Sequence, residues 1–189
     1  MGLKHWSRLD NIISLLEDNR EMMLDYFLTN NFNYTNFNHE DNNHISDKVL
    51  YYDYRFPNVV IDNPIISQIC SYNYVTYCSL TEFPPGLHIK EHLDPTPADK
   101  IYQETQSHYF FEGDQDYRRI HFSIQDSGDD CYMTYQNRKV TWKSGDCQVF
   151  DVYRNPHEFF NNTDKMFSLF LIDVIVGDGR ITCPYQSAP

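Results

Sequence analysis

The chain has 189 residues, 41% hydrophobic and 16% aromatic, which is enough to close one globular core. Its 15 Lys and Arg stand against 27 Asp and Glu, and the resulting charge of -12 repels a phosphate backbone, arguing against nucleic acid as a partner. No apolar run approaches the roughly 20 residues of a membrane helix, the amino terminus lacks a secretory apolar segment, and the cysteines form no CxxC pair, so the expectation is a cytoplasmic protein, off the membrane, with reduced thiols and no structural zinc.

Residues 7–28 place Leu9, Ile12, Ile13, Leu16, Met23, Leu24 and Phe27 at helical intervals behind Ser7 and Asp10, which predicts one amphipathic helix. A stretch with seven asparagines between Asn30 and Asn43 reads as a connector. From Val49 onward short β-like runs follow one another: VLYYDY, NVVID, YVTYCSLTEF, LHIKEHLD, RRIHFSIQ, CYMTYQ, KVTW, CQVFDVY and MFSLFLIDVIV. Turn signals such as DSGDD, QNRK and KSGD separate several of them. The expected fold is mainly β, a double-stranded β-helix of the jelly-roll or cupin kind with the amino-terminal helix packed on the barrel. Residues 1–48 would hold the helix and connector, and residues 49–189 the barrel domain.

The run PPGLHIKEHLDP carries two histidines and an aspartate. Flanking prolines oppose a helix, so strand alternation is expected to put His88, Lys90, His92 and Asp94 on one side. His92 and Asp94 form an HxD pair, and His157, after an apolar strand and a proline turn, is the candidate third ligand. Two imidazoles and a carboxylate on one face of an octahedron leave positions open, as in non-haem Fe(II) oxygenases. A surface histidine beside a solvated aspartate would produce the same text, so HxD by itself decides little.

The surrounding residues add specificity. Pro85, Gly86, His88 and His92 are followed by Arg119 and His121, then Trp142, Gly145, Phe150 and Asp151. His157, Asn162, Thr163, Asp164 and the closing LFLIDV complete a pattern that runs from about Ser79 to Val174. In order and spacing it resembles the aspartyl/asparaginyl β-hydroxylase family of Fe(II)- and 2-oxoglutarate-dependent oxygenases, which includes hydroxylases of free amino acids such as proline. The resemblance implies iron held by His92, Asp94 and His157, and cosubstrate carboxylates held by Thr81, Arg119 and His121. It implies hydroxylation of an amino acid, free or in a peptide. Arg119 could instead pair with one of the chain's many acidic residues.

Two departures from the family pattern stand out. The family carries a basic residue ten positions after the distal histidine to clamp the far carboxylate of 2-oxoglutarate, and here that position is Phe167. Lys165 shares its parity and could reach in; Arg118, Arg154 or Arg180 could substitute from another wall. If none does, the alternative is a catalytically silent or 2-oxoglutarate-independent metal-binding relative acting as a binding protein. The second departure is the long connection from Pro95 to Tyr117, readable as a lid, a recognition loop or an oligomer contact. Trp142 is expected in the core, and Asp151 either orients His157 or caps a turn. His5, His39, His44 and His108 are expected to be exposed.

Overall fold

Phe167–Ile175 is buried at all nine positions because it lies at the centre of a sheet, with a strand paired antiparallel on each side. The computed structural model describes residues 6–32, 35–36, 49–54, 61–96, 110–113 and 116–182. Most of the Asn-rich connector and most of the 95–117 insertion lie outside these residues, as do His5, His39, His44 and His108. The elements in chain order are α1 (Trp6–Asp18), α2 (Arg20–Thr29), β1 (Thr35–Asn36), β2 (Leu50–Asp53), α3 (Pro64–Ser71), β3 (Val75–Phe83), β4 (Leu87–His92) and β5 (Phe110–Glu112). They continue with β6 (Tyr117–Ser123), β7 (Cys131–Tyr135), β8 (Arg138–Val140), β9 (Cys147–Phe150), β10 (His157–Asn161), β11 (Phe167–Ile175) and β12 (Arg180–Thr182).

A six-stranded sheet runs β1-β2-β3-β11-β6-β9 and a four-stranded sheet runs β4-β10-β7-β8. From β3 onward the chain passes repeatedly from the larger sheet to the smaller and back, which is the winding of a double-stranded β-helix. Alternation sorts the side chains. Tyr77, Phe83, Leu169 and Leu171 of the large sheet meet Ile89, Met133 and Phe159 of the small one inside the barrel. Cys78, Leu80, Ile120, Phe122, Phe170 and Ile172 face the other way, onto Leu9, Ile12 and Leu16 of α1, Met23 and Phe27 of α2, and Ile66 and Ile69 of α3. The helices thus cover the outer face of the large sheet.

The amino-terminal helix differs from expectation by being two. The Asn19 amide donates to the Leu15 carbonyl at 2.8 Å, ending α1, while its own carbonyl receives the Met23 N–H and opens α2. Helix α3 was not anticipated, although its start is legible: Asn63 Oδ1 accepts from the N–H groups of Ile65 and Ile66, and Pro64 follows at the first helical position. Ile61 and Asp62 of the expected NVVID strand are not in a strand. The QNRK turn joins β7 to β8 with Gln136 and Asn137 both at positive φ, 50° and 59°, the geometry of a two-residue hairpin turn.

Candidate metal centre

The position of His92 depends on an irregularity in β4. His157 pairs with His92, but Phe159 pairs with Ile89, so β4 spends one residue more than β10 over the same span. That bulge reverses the alternation. Ile89 and His92 both turn inward, whereas His88 turns outward, stacks on Phe160 at 4.4 Å and meets Glu158 Oε1 at 2.6 Å. The expectation that His88 and Lys90 share a side with His92 is therefore corrected. The bulge also fixes the imidazole. His92 Nδ1 lies 2.7 Å from the Lys90 carbonyl, which can only accept, so Nδ1 carries the proton and Nε2 offers its lone pair inward.

Asp94 follows β4, and its N–H donates to the Val152 carbonyl at 3.1 Å, tying it to the loop that leads into β10. His92 Nε2 stands 3.1 Å from Asp94 Oδ1, and His157 Nε2 stands 3.7 Å from the same oxygen. The three donor atoms all lie within 4.8 Å of one another. Burial opposes charge on Asp94, yet Arg119 and both imidazoles hold its carboxyl far below the usual range. Burial pulls His92 down, but the hydrogen bond and charge of Asp94 outweigh it and raise the imidazole. Burial dominates at His157 and pushes it down to about 4, so that ring is neutral at pH 7 and its lone pair is available. A carboxylate oxygen and two imidazole lone pairs converging this closely repel unless a cation or proton sits among them. The donor set suits a borderline divalent ion such as Fe(II).

Arg119 points into this centre from β6. It donates to Asp94 Oδ2, which leaves Oδ1 for the imidazole side. It also grips Asp173 of β11, its register partner, through Nε to Oδ1 at 2.6 Å and Nη2 to Oδ2 at 2.9 Å. The Tyr153 hydroxyl lies 3.3 Å from Nη2, and the guanidinium sits 5.9 Å and 5.6 Å from the ring centres of Tyr77 and Tyr153. Of the alternatives open for Arg119, the pairing with acidic residues is thus present in this structure.

A cavity of about 110 Å³ extends from the three donors into the barrel. Thr81, Arg119 and His121 all line it, and Thr81 hydrogen-bonds Ser79 at 3.1 Å. His121 lies between Trp142 and Phe150, and its Nδ1 is buried without a partner. Burial, then the Arg119 charge, hold His121 well below its ordinary value and keep it neutral. Lys165 is not brought to the cavity: it is exposed and borders a separate outer groove. Phe167 is 3% exposed, pairs in register with Phe83, and packs against Trp142 and Phe159 at 5.4 Å and 6.2 Å. Trp142 is core, at 1% exposure, and Asp151 caps a turn by accepting the Arg154 N–H at 3.1 Å. Arg118 and Arg154 both pair with Asp116.

Asp173 and Tyr153 are the members of this centre that spacing did not reveal. Asp173 left a trace: a single carboxylate, 1% exposed, in a strand otherwise almost wholly apolar, at the same parity as the inward residues Leu169 and Leu171.

A sequence model described as aspartyl/asparaginyl beta-hydroxylase matches residues 28–176. No curated protein matches the chain. Among solved structures, a predicted oxalate decarboxylase from Thermotoga maritima aligns at 11% identity and a TM-score of 0.39, over 67% of this chain and 80% of that one. A cupin 2 conserved barrel domain protein from Salinispora arenicola aligns at 12% and 0.38, over 67% and 75%. A cupin superfamily protein from Desulfitobacterium hafniense aligns at 12% and 0.37, over 68% and 78%.

Proposed function

The chain belongs to the aspartyl/asparaginyl β-hydroxylase family, and from that premise we propose that it is an Fe(II)-dependent dioxygenase, using a 2-oxo acid as cosubstrate to hydroxylate an amino acid or amino-acid residue. The observation that carries this reading is the convergence of His92 Nε2, Asp94 Oδ1 and His157 Nε2 at one end of a largely apolar cavity. These residues would hold the metal, which when bound supplies the activation of oxygen. The chain's own contribution is orientation and exclusion of water. Lys90 fixes the His92 tautomer, Arg119 commits one oxygen of Asp94, and Leu169, Leu171, Ile89 and Met133 keep the neighbouring volume dry.

2-Oxoglutarate, the cosubstrate implied by the family, fits this cavity poorly at its far carboxylate, because among the described residues Phe167 stands where a cation is expected and Lys165 faces outward. The same observation favours a second reading, a metal-binding relative that has lost turnover. Anaerobic titration with Fe(II), followed by oxygen uptake on amino-acid and peptide substrates with a 2-oxo acid present, separates the two. The hydroxylase binds one equivalent of metal and couples oxygen uptake to substrate oxidation. The silent relative binds metal and consumes no oxygen. A protein that binds no metal refutes both.

A further inference from the structure

We infer that the acid bound beside the metal is a 2-oxo acid with an apolar tail, and not the dicarboxylate 2-oxoglutarate; this rests on the proposed metal-dependent oxygenase reading. The cavity has two chemically distinct ends, and strand register orders them. Counting along β11, the Asp173–Arg119 row comes first, then Leu171–His121, then Leu169–Thr81, then Phe167–Phe83. Each row lies about 7 Å beyond the one before. A chelating acid with its head at the triad therefore extends its tail past Leu171 toward Leu169 and Thr81, facing Phe159 and Met133 of the opposite sheet.

Among the described residues that neighbourhood holds no countercharge for a second carboxylate. Among the described lining residues Arg119 is the one Lys or Arg, and it is already committed to Asp173 and Asp94 at the metal end. The wall beyond is aromatic: Phe83 stacks on Phe159 at 4.2 Å, backed by Phe167 and Trp142. Trp142 Nε1 is buried there without a partner, but it is a neutral donor and balances no charge. A carboxylate enclosed at this end loses its hydration with nothing to replace it, whereas an alkyl tail gains from leaving water. At the other end, His121 lines the cavity one row from Arg119, and its Nδ1 is buried without a protein partner.

The test compares isosteres on the Co(II)-loaded full-length protein under anaerobic conditions. In 5-methyl-2-oxohexanoate an isopropyl group replaces the far carboxylate of 2-oxoglutarate, leaving the chelating head unchanged. Binding is read by calorimetry and by the change in the Co(II) visible spectrum. The expected result is that the isopropyl acid binds at least ~10-fold more tightly than 2-oxoglutarate, the least difference that an uncompensated buried carboxylate predicts. Equal or tighter binding of 2-oxoglutarate overturns the inference while leaving the metal centre standing. Metal binding with no response to either acid also overturns it. Absence of a bound Co(II) spectrum overturns the oxygenase reading and the inference with it, an outcome distinct from a metal centre that stands while the acid preference fails.

Discussion

Arg119 holds Asp173 through two parallel hydrogen bonds, at 2.6 Å and 2.9 Å, between adjacent strands of the large sheet. The pair is buried, and the remaining guanidinium nitrogen reaches Asp94. Fork-to-fork geometry of this kind fixes orientation as well as charge. A residue of the sheet centre thereby dictates which oxygen of Asp94 faces the two histidines.

Replacing Arg119 with Gln should therefore damage the fold before it affects any chemistry. Two carboxylates lose their buried partner, and breaking such a pair from one side costs about 3–5 kcal/mol. Urea denaturation of the apo protein checks this. A loss below about 1 kcal/mol would mean that the pair is solvated rather than enclosed.

Asp173→Asn tests the relay more gently. It keeps the shape of the side chain but weakens its hold on Arg119, and through it on Asp94. Metal affinity should fall about 10- to 100-fold, the usual cost of losing a partner that orients a ligand. Asp94→Ala and His157→Ala, which remove donors themselves, should reduce affinity further. Calorimetric Co(II) titration of the three variants gives the ranking; an Asp173→Asn protein that binds as wild type refutes the relay.

Burial pushes the thiols of Cys131 and Cys147 up to about 12. As pH rises above about 8.5 an unfolded chain would release these protons while the folded one keeps them, so the folded state binds more and loses stability with rising pH. Denaturation midpoints should therefore decline between pH 8 and pH 11. Cys131, 1% exposed, should resist iodoacetamide at pH 8 until the protein is unfolded. Mass spectrometry of the labelled peptides reads the outcome, and rapid native labelling of Cys131 would contradict it.

Gly145 stands at φ 76°, and a Cβ there would meet the Arg20 side chain at 2.6–2.8 Å. Arg20 donates from Nε to the Gly145 carbonyl at 3.0 Å and pairs with Asp146 at 3.1 Å, linking the start of α2 to the turn before β9. Gly145→Ala should cost about 1–2 kcal/mol from left-handed backbone strain. Because the turn lies away from the triad, Co(II) affinity should stay unchanged. Thermal unfolding and metal titration of the same variant check both halves.

How much was legible in the sequence follows from the range of each interaction. The short apolar and aromatic runs that identify β3, β6 and β11 are local, and so the barrel and the strands bearing Thr81, Arg119, His121 and His92 could be read directly. The HxD spacing and the proline turn before His157 are likewise local patterns. The reversal at His88 was not legible, because a bulge is settled by register against β10, some 70 residues away in the chain. Asn63 and Pro64 signal the start of helix α3, but its eight residues are a short apolar run that periodicity alone cannot distinguish from a strand.

By itself, then, the sequence determined the class of fold and the identities of the candidate ligands, since period-two patterning and residue chemistry need no partner to be read. Only the tertiary structure decided that Arg119 is held by Asp173 and Asp94, that Lys165 faces outward, and that Phe167 closes an aromatic wall. Those outcomes depend on which strands become neighbours and in what register. Register is fixed by the burial of the whole sheet, a sum over residues far apart in the chain that no single stretch carries.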